Sequence, residues 1–167
     1  EFKGNKINLI DAPGLFDFAG GVSEALTAAD SAVIVLSGKS GLNVGSQINY
    51  DQAKAAGVPV SFFIGKLDSP RAYFYRVIST LTAHYGAVVC PVVIPYVEGE
   101  TVVSYVNLIE GKAYKCDGVK YTETAMPESD DINNMRDVML EAVASVDEAL
   151  MEKYFGGEEF TADEIIE

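Results

Sequence analysis

Two apolar runs bracketing one helical stretch constrain this chain more than any other feature. Ala32-Val33-Ile34-Val35-Leu36 has no polar residue, the pattern of a strand buried on both faces. Pro59-Val60-Ser61-Phe62-Phe63-Ile64 is the second run. Residues 46–56 between them read as a helix that stops at Gly57, just before Pro59. Strand, helix, strand in this rhythm means a parallel sheet with right-handed crossovers, and therefore an α/β fold. The same rhythm extends outward. Ile7-Asn8-Leu9-Ile10 and residues 88–94 read as further strands. Gly20-Gly21 is a pivot before a helix over 22–29, which places Val22, Ala25, Leu26 and Ala29 on one face. A helix over 70–85 opens at Pro70, carries the stripe Phe74, Val77, Ile78 and Leu81, and closes at Gly86.

The rhythm changes near Pro95. Residues 102–109, 112–116 and 119–122 are short segments separated by Glu110-Gly111 and Asp117-Gly118, and Asp-Gly between alternating segments is a strong hairpin signal. This stretch is expected to form a small antiparallel insert. A long amphipathic helix over 131–154 follows, with Met135, Val138, Met139, Ala142, Val143, Val146, Leu150 and Tyr154 on its buried stripe. Gly156-Gly157 ends it, and Thr161-Ala162-Asp163-Glu164 has the form of a capping box that opens another helix.

With 167 residues, 49% of them apolar, the chain is long enough for a real core. Its formal charge of −13, from 25 acidic and 12 basic side chains, argues against direct nucleic-acid binding through this segment. The surplus acid reads first as a solvated surface and second as a face for a basic partner. Cys90 and Cys116 do not make a disulfide framework, which fits a reducing compartment. No signal peptide or membrane-spanning run is evident, so a cytoplasmic location is expected. The chain starts at Glu1, not Met, and enters a strand almost at once, which reads as a piece of a longer protein.

Asp11-Ala12-Pro13-Gly14 follows the first apolar run, and Gly65-Lys66-Leu67-Asp68 follows the run ending at Ile64. In open α/β folds the carboxyl edge of the sheet is where ligands bind. Together the two motifs resemble the third and fourth signatures of a GTP-binding domain. On that reading Asp11 holds a divalent metal through water, and the Gly14 amide reaches the terminal phosphate. Asp68 accepts from the N1 and N2 donors of guanine, and the apolar stem of Lys66 covers the base. The plain alternatives are an Asp that caps its own turn and a surface loop. Gly38-Lys39-Ser40 is not a phosphate loop, because the required earlier Gly falls on Val33 inside a strand. His84 reads as a helix-end residue. Tyr73 and Tyr75 read as flanks of the third helix and not as a binding platform. Glu98, Glu100 and Glu110 read as a solvated rim, with a partner-binding face as the alternative.

Residues 7–18 resemble the Asp-x-Pro-Gly-His-x-Asp-Phe signature of translational GTPases, and residues 62–68 resemble their Asn-Lys-x-Asp strand. Phe74-Tyr75-Arg76-Val77 continues in the manner of elongation factor G. Residues 147–159, Asp-Glu-Ala-Leu-Met-Glu-Lys-Tyr-Phe-Gly-Gly-Glu-Glu, are similar to that factor's stretch after its extra subdomain, a more specific match than either motif. The resemblance covers nearly the whole chain. It implies a partial P-loop GTPase-type parallel sheet with flanking helices, a small antiparallel G′-like insert and a long helix. It also implies that 1–95 is the second half of a GTP-binding domain without its P-loop, and 96–167 the insert with the helices that follow. The implied cofactors of the full-length parent are GTP or GDP with magnesium. The implied partner is the ribosome, at its stalk protein and factor-binding site, although the acidic charge fits the acidic stalk protein poorly. Two departures matter. The family's water-positioning histidine is Leu15 here, which cannot hydrogen-bond to water, and the family's Asn is Gly65. The resemblance thus implies a ribosome-dependent GTPase. The alternative is a silenced pseudo-GTPase that acts as a ribosome-binding or regulatory module. The piece alone, without its P-loop, is expected to be inactive and to hold no nucleotide.

Overall fold

The structure is a computed structural model that describes residues 1–2, 4–69, 71–99 and 101–166, with only the backbone of Phe16. It divides into two units, Glu1–Lys66 and Leu67–Glu167. A two-stranded parallel sheet lies in the first and a four-stranded antiparallel sheet in the second, which together make an α/β chain.

In the first unit a 3-10 turn, Phe16–Phe18, leads into α1 (Ala19–Ala28), β1 (Ala32–Ser37), α2 (Val44–Ala55) and β2 (Val60–Gly65). The two strands run parallel and in register from Ala32↔Val60 to Ser37↔Gly65. A reciprocal cap starts α2: the Ser46 amide donates to Asn43 Oδ1 at 3.0 Å, and the Asn43 amide donates to Ser46 Oγ at 3.0 Å. Gly57, at φ +71°, turns the chain out of α2 as its position predicts. The helix packs on one face of the strand pair, where Leu36 and Ala53 are buried and Tyr50 stacks on Phe62 at 5.8 Å.

Three expectations fail in this unit. β1 is buried on one face only: Val33 and Val35 are exposed, as is Phe63 of β2 beside Val35. Helix α2 packs against both strands, and Val33, Val35 and Phe63 lie on the face it does not cover. Residues 7–10 form no strand, and Leu9 is 92% exposed. A strand needs a neighbour to complete its hydrogen bonds, and the β1-β2 order gives this segment none. Gly20 and Gly21 lie inside α1, not ahead of it, since neither takes a positive φ that would break the helix.

The second unit contains α3 (Phe74–Tyr85), a 3-10 turn (Gly86–Val88), then β3 (Val93–Glu98), β4 (Thr101–Asn107), β5 (Lys112–Cys116) and β6 (Tyr121–Thr124). The strands pair in sequence order, all antiparallel, as expected for the insert. Gly111 and Gly118 take positive φ at the two hairpin turns. Asp117 Oδ1 accepts from the amides of Val119 and Lys120 at 3.1 and 2.9 Å, which holds its carboxyl below the usual range. The expected parallel strand over 88–94 is instead β3, shifted toward the C-terminus and antiparallel to β4. The turn at Gly86 and the missing N–H of Pro91 delay the ladder. An edge strand then tolerates Pro95 within it.

Helices α4 (Asp130–Ala144), α5 (Glu148–Phe155) and α6 (Ala162–Ile166) complete the unit. Ile132 and Met139 of α4 close a core with Ile94, Val106, Leu108 and Ala113, and Phe74 packs against it. The single long helix expected over 131–154 is broken in two. Asp147 accepts at Oδ1 from the amides of Ala149 and Leu150 at 2.8 and 3.3 Å, a cap that starts a new helix in place of continuing the old one. Val146, placed by its spacing on the buried stripe, is exposed at the break. The capping box at Thr161 is present, with Thr161 and Glu164 exchanging hydrogen bonds between side chain and amide. Helix α3 begins at Phe74, four residues later than its sequence suggests, and ahead of it the Ala72 amide donates to Ser69 O at 3.1 Å. Pro70 lies outside the described residues, as does Glu100.

Candidate functional site

Because β1 and β2 are parallel and in register, they end side by side at Ser37 and Gly65. The Gly38 amide donates to Gly65 O at 2.8 Å and ties the two loops that leave this carboxyl edge. The first loop turns back on itself, with the Gly41 amide donating to Ser37 O at 2.7 Å, so Gly38-Lys39-Ser40 is a tight turn. The second loop departs through Lys66, whose φ of +57° is left-handed, a conformation that costs a residue with a side chain about 1 kcal/mol.

The loop Asp11-Ala12-Pro13-Gly14 comes to the same end of this unit. A β-carbon at Gly45, in the first turn of α2, would lie 3.5 Å from the Gly14 carbonyl oxygen and 3.3 Å from Asn43 Oδ1. Glycine at 45 therefore leaves room for the Asn43 cap, while the Asp11–Gly14 loop approaches it at an ordinary contact distance. A β-carbon at Gly14 itself would meet nothing within 4 Å, so the backbone there is open to an incoming group. Asp11 is exposed, and Leu15 is 68% exposed with its carbonyl accepting from the Phe18 amide at 2.9 Å. A side chain at Gly65 would meet the Phe63 ring at 3.4 Å, an ordinary contact.

Asp68 belongs to the second unit. It lines a cleft of about 550 Å³ together with Arg71, Tyr73, Tyr75, Pro95 and Val102. The Tyr75 hydroxyl donates to Pro95 O at 3.2 Å, and burial, followed by the nearby Asp131 carboxylate, pushes its ionisation up. Arg76 places its guanidinium 5.3 Å from the centre of the Tyr73 ring. Tyr73 and Tyr75, expected on the outer flanks of α3, thus form part of the cleft wall. Tyr105 stands opposite Pro95 across the β3–β4 pair. Its hydroxyl is pushed up first by burial and then by Tyr121, Cys116 and the Asp68 carboxylate. Sequence reading missed this cleft, because spacing along α3 cannot show that a strand twenty residues on supplies the opposite wall. His84 packs edge-on against Tyr85 at 4.7 Å in the last turn of α3, the helix-end position its sequence suggests.

Among the described residues no group of three or more His, Cys, Asp or Glu side chains is placed to hold a metal. A magnesium ion at Asp11 would therefore take most of its oxygens from a nucleotide and water, its usual manner in phosphate chemistry. The open Gly14 backbone and the exposed Asp11 carboxylate suit that arrangement. No helix among the described residues is long and apolar enough to cross a membrane.

Comparison with known proteins adds three findings. The family model described as the elongation factor Tu GTP binding domain matches residues 1–155. An elongation factor G-like protein of Thermotoga maritima is 33% identical over 166 residues, which is 99% of this chain and 24% of that protein. A crystal structure of a Thermus thermophilus protein superimposes with a TM-score of 0.86 at 33% identity, covering 99% of this chain and 25% of that one. The chain thus spans about a quarter of the length of these relatives.

Proposed function

The chain belongs to the elongation factor Tu GTP-binding domain family, and on that premise we propose that it is part of an elongation factor G-like translational GTPase. Residues 1–95 form the second half of the GTP-binding domain, and 96–167 form a G′-like insert with its following helices. The observation that carries this reading is the junction of Ser37 and Gly65 at one carboxyl edge, with Gly65-Lys66-Leu67-Asp68 leaving it directly. Asp68 would accept from guanine N1 and N2, the stem of Lys66 would cover the base, and the Gly14 amide would reach the terminal phosphate. Asp11 would hold magnesium through water. GTP, when bound, would supply the terminal phosphoryl group that is transferred to water with GDP as the leaving group, and the protein's part in such chemistry is positioning and charge stabilisation. The full-length protein acts in the cytoplasm on the ribosome, at its factor-binding site and stalk. This chain without a phosphate loop neither holds nor turns over nucleotide alone.

Leu15 favours a second reading. An exposed alkyl side chain neither orients water nor contacts phosphate by hydrogen bonding. A protein with Asp11 and Asp68 but Leu15 in place of histidine would bind nucleotide and ribosome without turnover. The test is GTP hydrolysis by the full-length protein, with and without ribosomes, beside its Leu15→His variant. Strong ribosome stimulation of the unmodified protein establishes the GTPase. Ribosome association without turnover, with hydrolysis appearing only in the variant, establishes the silenced form.

A further inference from the structure

The two edges of the antiparallel sheet, β3 and β6, are finished differently. β3 carries Pro95, which has no amide to offer, and its register shifts between Tyr96 and Val97. The Tyr75 hydroxyl also bonds to the Pro95 carbonyl at 3.2 Å. Proline, an irregular register and a covering side chain all keep an edge from pairing with another strand. β6 has none of them: Tyr121-Thr122-Glu123-Thr124 runs regularly along β5, and Pro127 comes only after it. The ladder fixes which of its backbone groups are open. The Asp117 amide donates to Lys120 O at 3.3 Å, so these two residues form a bonded pair at the turn. Bonded and non-bonded pairs alternate along antiparallel strands. Lys115↔Thr122 and Ala113↔Thr124 are therefore bonded, and Tyr121 and Glu123 aim their N–H and C=O groups away from β5. Among the described residues nothing else bonds to those groups.

Side chains alternate in the same way. Tyr121, 72% exposed, and Glu123 lie on the face of Tyr114, and Lys120 lies on the other with Thr122 and Lys115. Glu123 pairs with Lys112 at 3.1 Å, whereas Lys115 and Lys120 have no carboxylate partner among the described residues. The neighbouring Asp117 turns its Oδ1 to the amides of Val119 and Lys120. We propose that β6 is a docking edge for an extended acidic and apolar segment of another protein, which adds to the sheet as an antiparallel strand. Its backbone exchanges hydrogen bonds with Tyr121 and Glu123, its carboxylates face Lys120, and its apolar side chains lie along Tyr121. Lys115, behind Thr122, adds to the same positive field. A second copy of β6 does not fit this description. With Tyr121 and Glu123 bonded in both strands, Lys120 would face only Lys120, Thr122 or Thr124.

The experiment adds an alternating Glu-Val octapeptide, or a Lys-Val octapeptide as its control, to the full-length protein and follows amide hydrogen exchange across β5 and β6. The Glu-Val peptide is expected to slow the Tyr121 and Glu123 amides, while Thr122, already bonded to β5, stays as it was. Lys120→Glu should weaken Glu-Val binding about fivefold, the scale of one charge-assisted contact, and bring in the Lys-Val peptide. Glu123→Pro removes an outward amide and leaves the β5 ladder intact, so protection at Tyr121 should be lost at an unchanged melting temperature. If Glu123→Pro does not fold, Lys120→Glu decides alone. Exchange at Tyr121 and Glu123 that ignores the Glu-Val peptide overturns the proposal, as does equal protection by both peptides. Protection already complete without peptide overturns it too. Where that protection is independent of protein concentration, another part of the full-length protein covers the edge; where it rises with concentration, a second copy does.

Discussion

The Lys153 ammonium donates to both carboxylate oxygens of Glu164, at 2.8 and 2.9 Å, and so fastens α6 to α5. Glu164 also accepts from the Thr161 amide and hydroxyl at 2.7 and 2.9 Å, so one carboxylate joins an ion pair and a helix cap. The Phe160 ring lies 5.9 Å from the same ammonium and packs against Tyr154.

These contacts hold the Glu164 pKa down to about 2 from 4.5, chiefly through Lys153 and then through Thr161. A carboxyl whose folded pKa is depressed contributes stability above its unfolded pKa and loses it as pH falls through the folded value. The contribution of Glu164 is therefore full above about pH 4.5 and fades toward pH 2. We expect Glu164→Gln to reduce hydrogen-exchange protection of α6 near neutral pH and to make little difference near pH 2. The pair is partly exposed, so salt will weaken it. Equal protection of α6 in both proteins at neutral pH would refute the coupling.

Asp147 decides where the C-terminal helices divide. With its cap removed by Asp147→Ala, the amides of Ala149 and Leu150 lose their acceptor. The expected cost is about 1 kcal/mol, read as a lower urea midpoint with an unchanged slope. Fraying should concentrate in the first turn of α5.

The hairpins were legible because their signal is local: Gly111 and Gly118 supply the positive φ that each turn demands. The break at Val146 was hidden because Val143, Val146 and Leu150 keep a helical spacing across it, while the Asp147 cap competes with continuation. The exposure of Val33 and Val35 could not be read from the run Ala32–Leu36, since burial depends on which face of the sheet a helix covers. The same holds at the candidate site. Gly65 and Lys66 fall at a strand end that the sequence announces, whereas Tyr75 meets Pro95 only through the tertiary fold.

Lys66 carries its left-handed φ of +57° just where β2 gives way to the Asp68 loop. Glycine adopts that conformation without steric cost, so Lys66→Gly is expected to raise stability by up to about 1 kcal/mol. The same change removes the apolar stem proposed to cover guanine. The full-length variant should therefore melt higher and bind GDP more weakly. A variant that loses stability would show that the side chain contributes more to packing than its backbone strain costs.

Gly65→Asn tests whether the departure at this position limits nucleotide affinity. The backbone at Gly65 is outside the left-handed region, and the nearest atoms a β-carbon there would meet are Phe63 ring atoms at 3.4 and 3.8 Å and Leu36 O at 4.0 Å. Nothing nearby forces glycine. The phenyl ring is itself 60% exposed and free to give way, so the variant should fold normally. An added amide restores a donor and an acceptor beside the proposed base site, worth on the order of 1 to 3 kcal/mol where it pairs a group otherwise left unsatisfied. GDP binding by the full-length variant should then tighten by about tenfold, the equivalent of 1.4 kcal/mol, with binding of ADP unchanged. An unchanged GDP affinity in a folded variant would mean that another donor already fills the role, and that glycine at this position does not weaken the site.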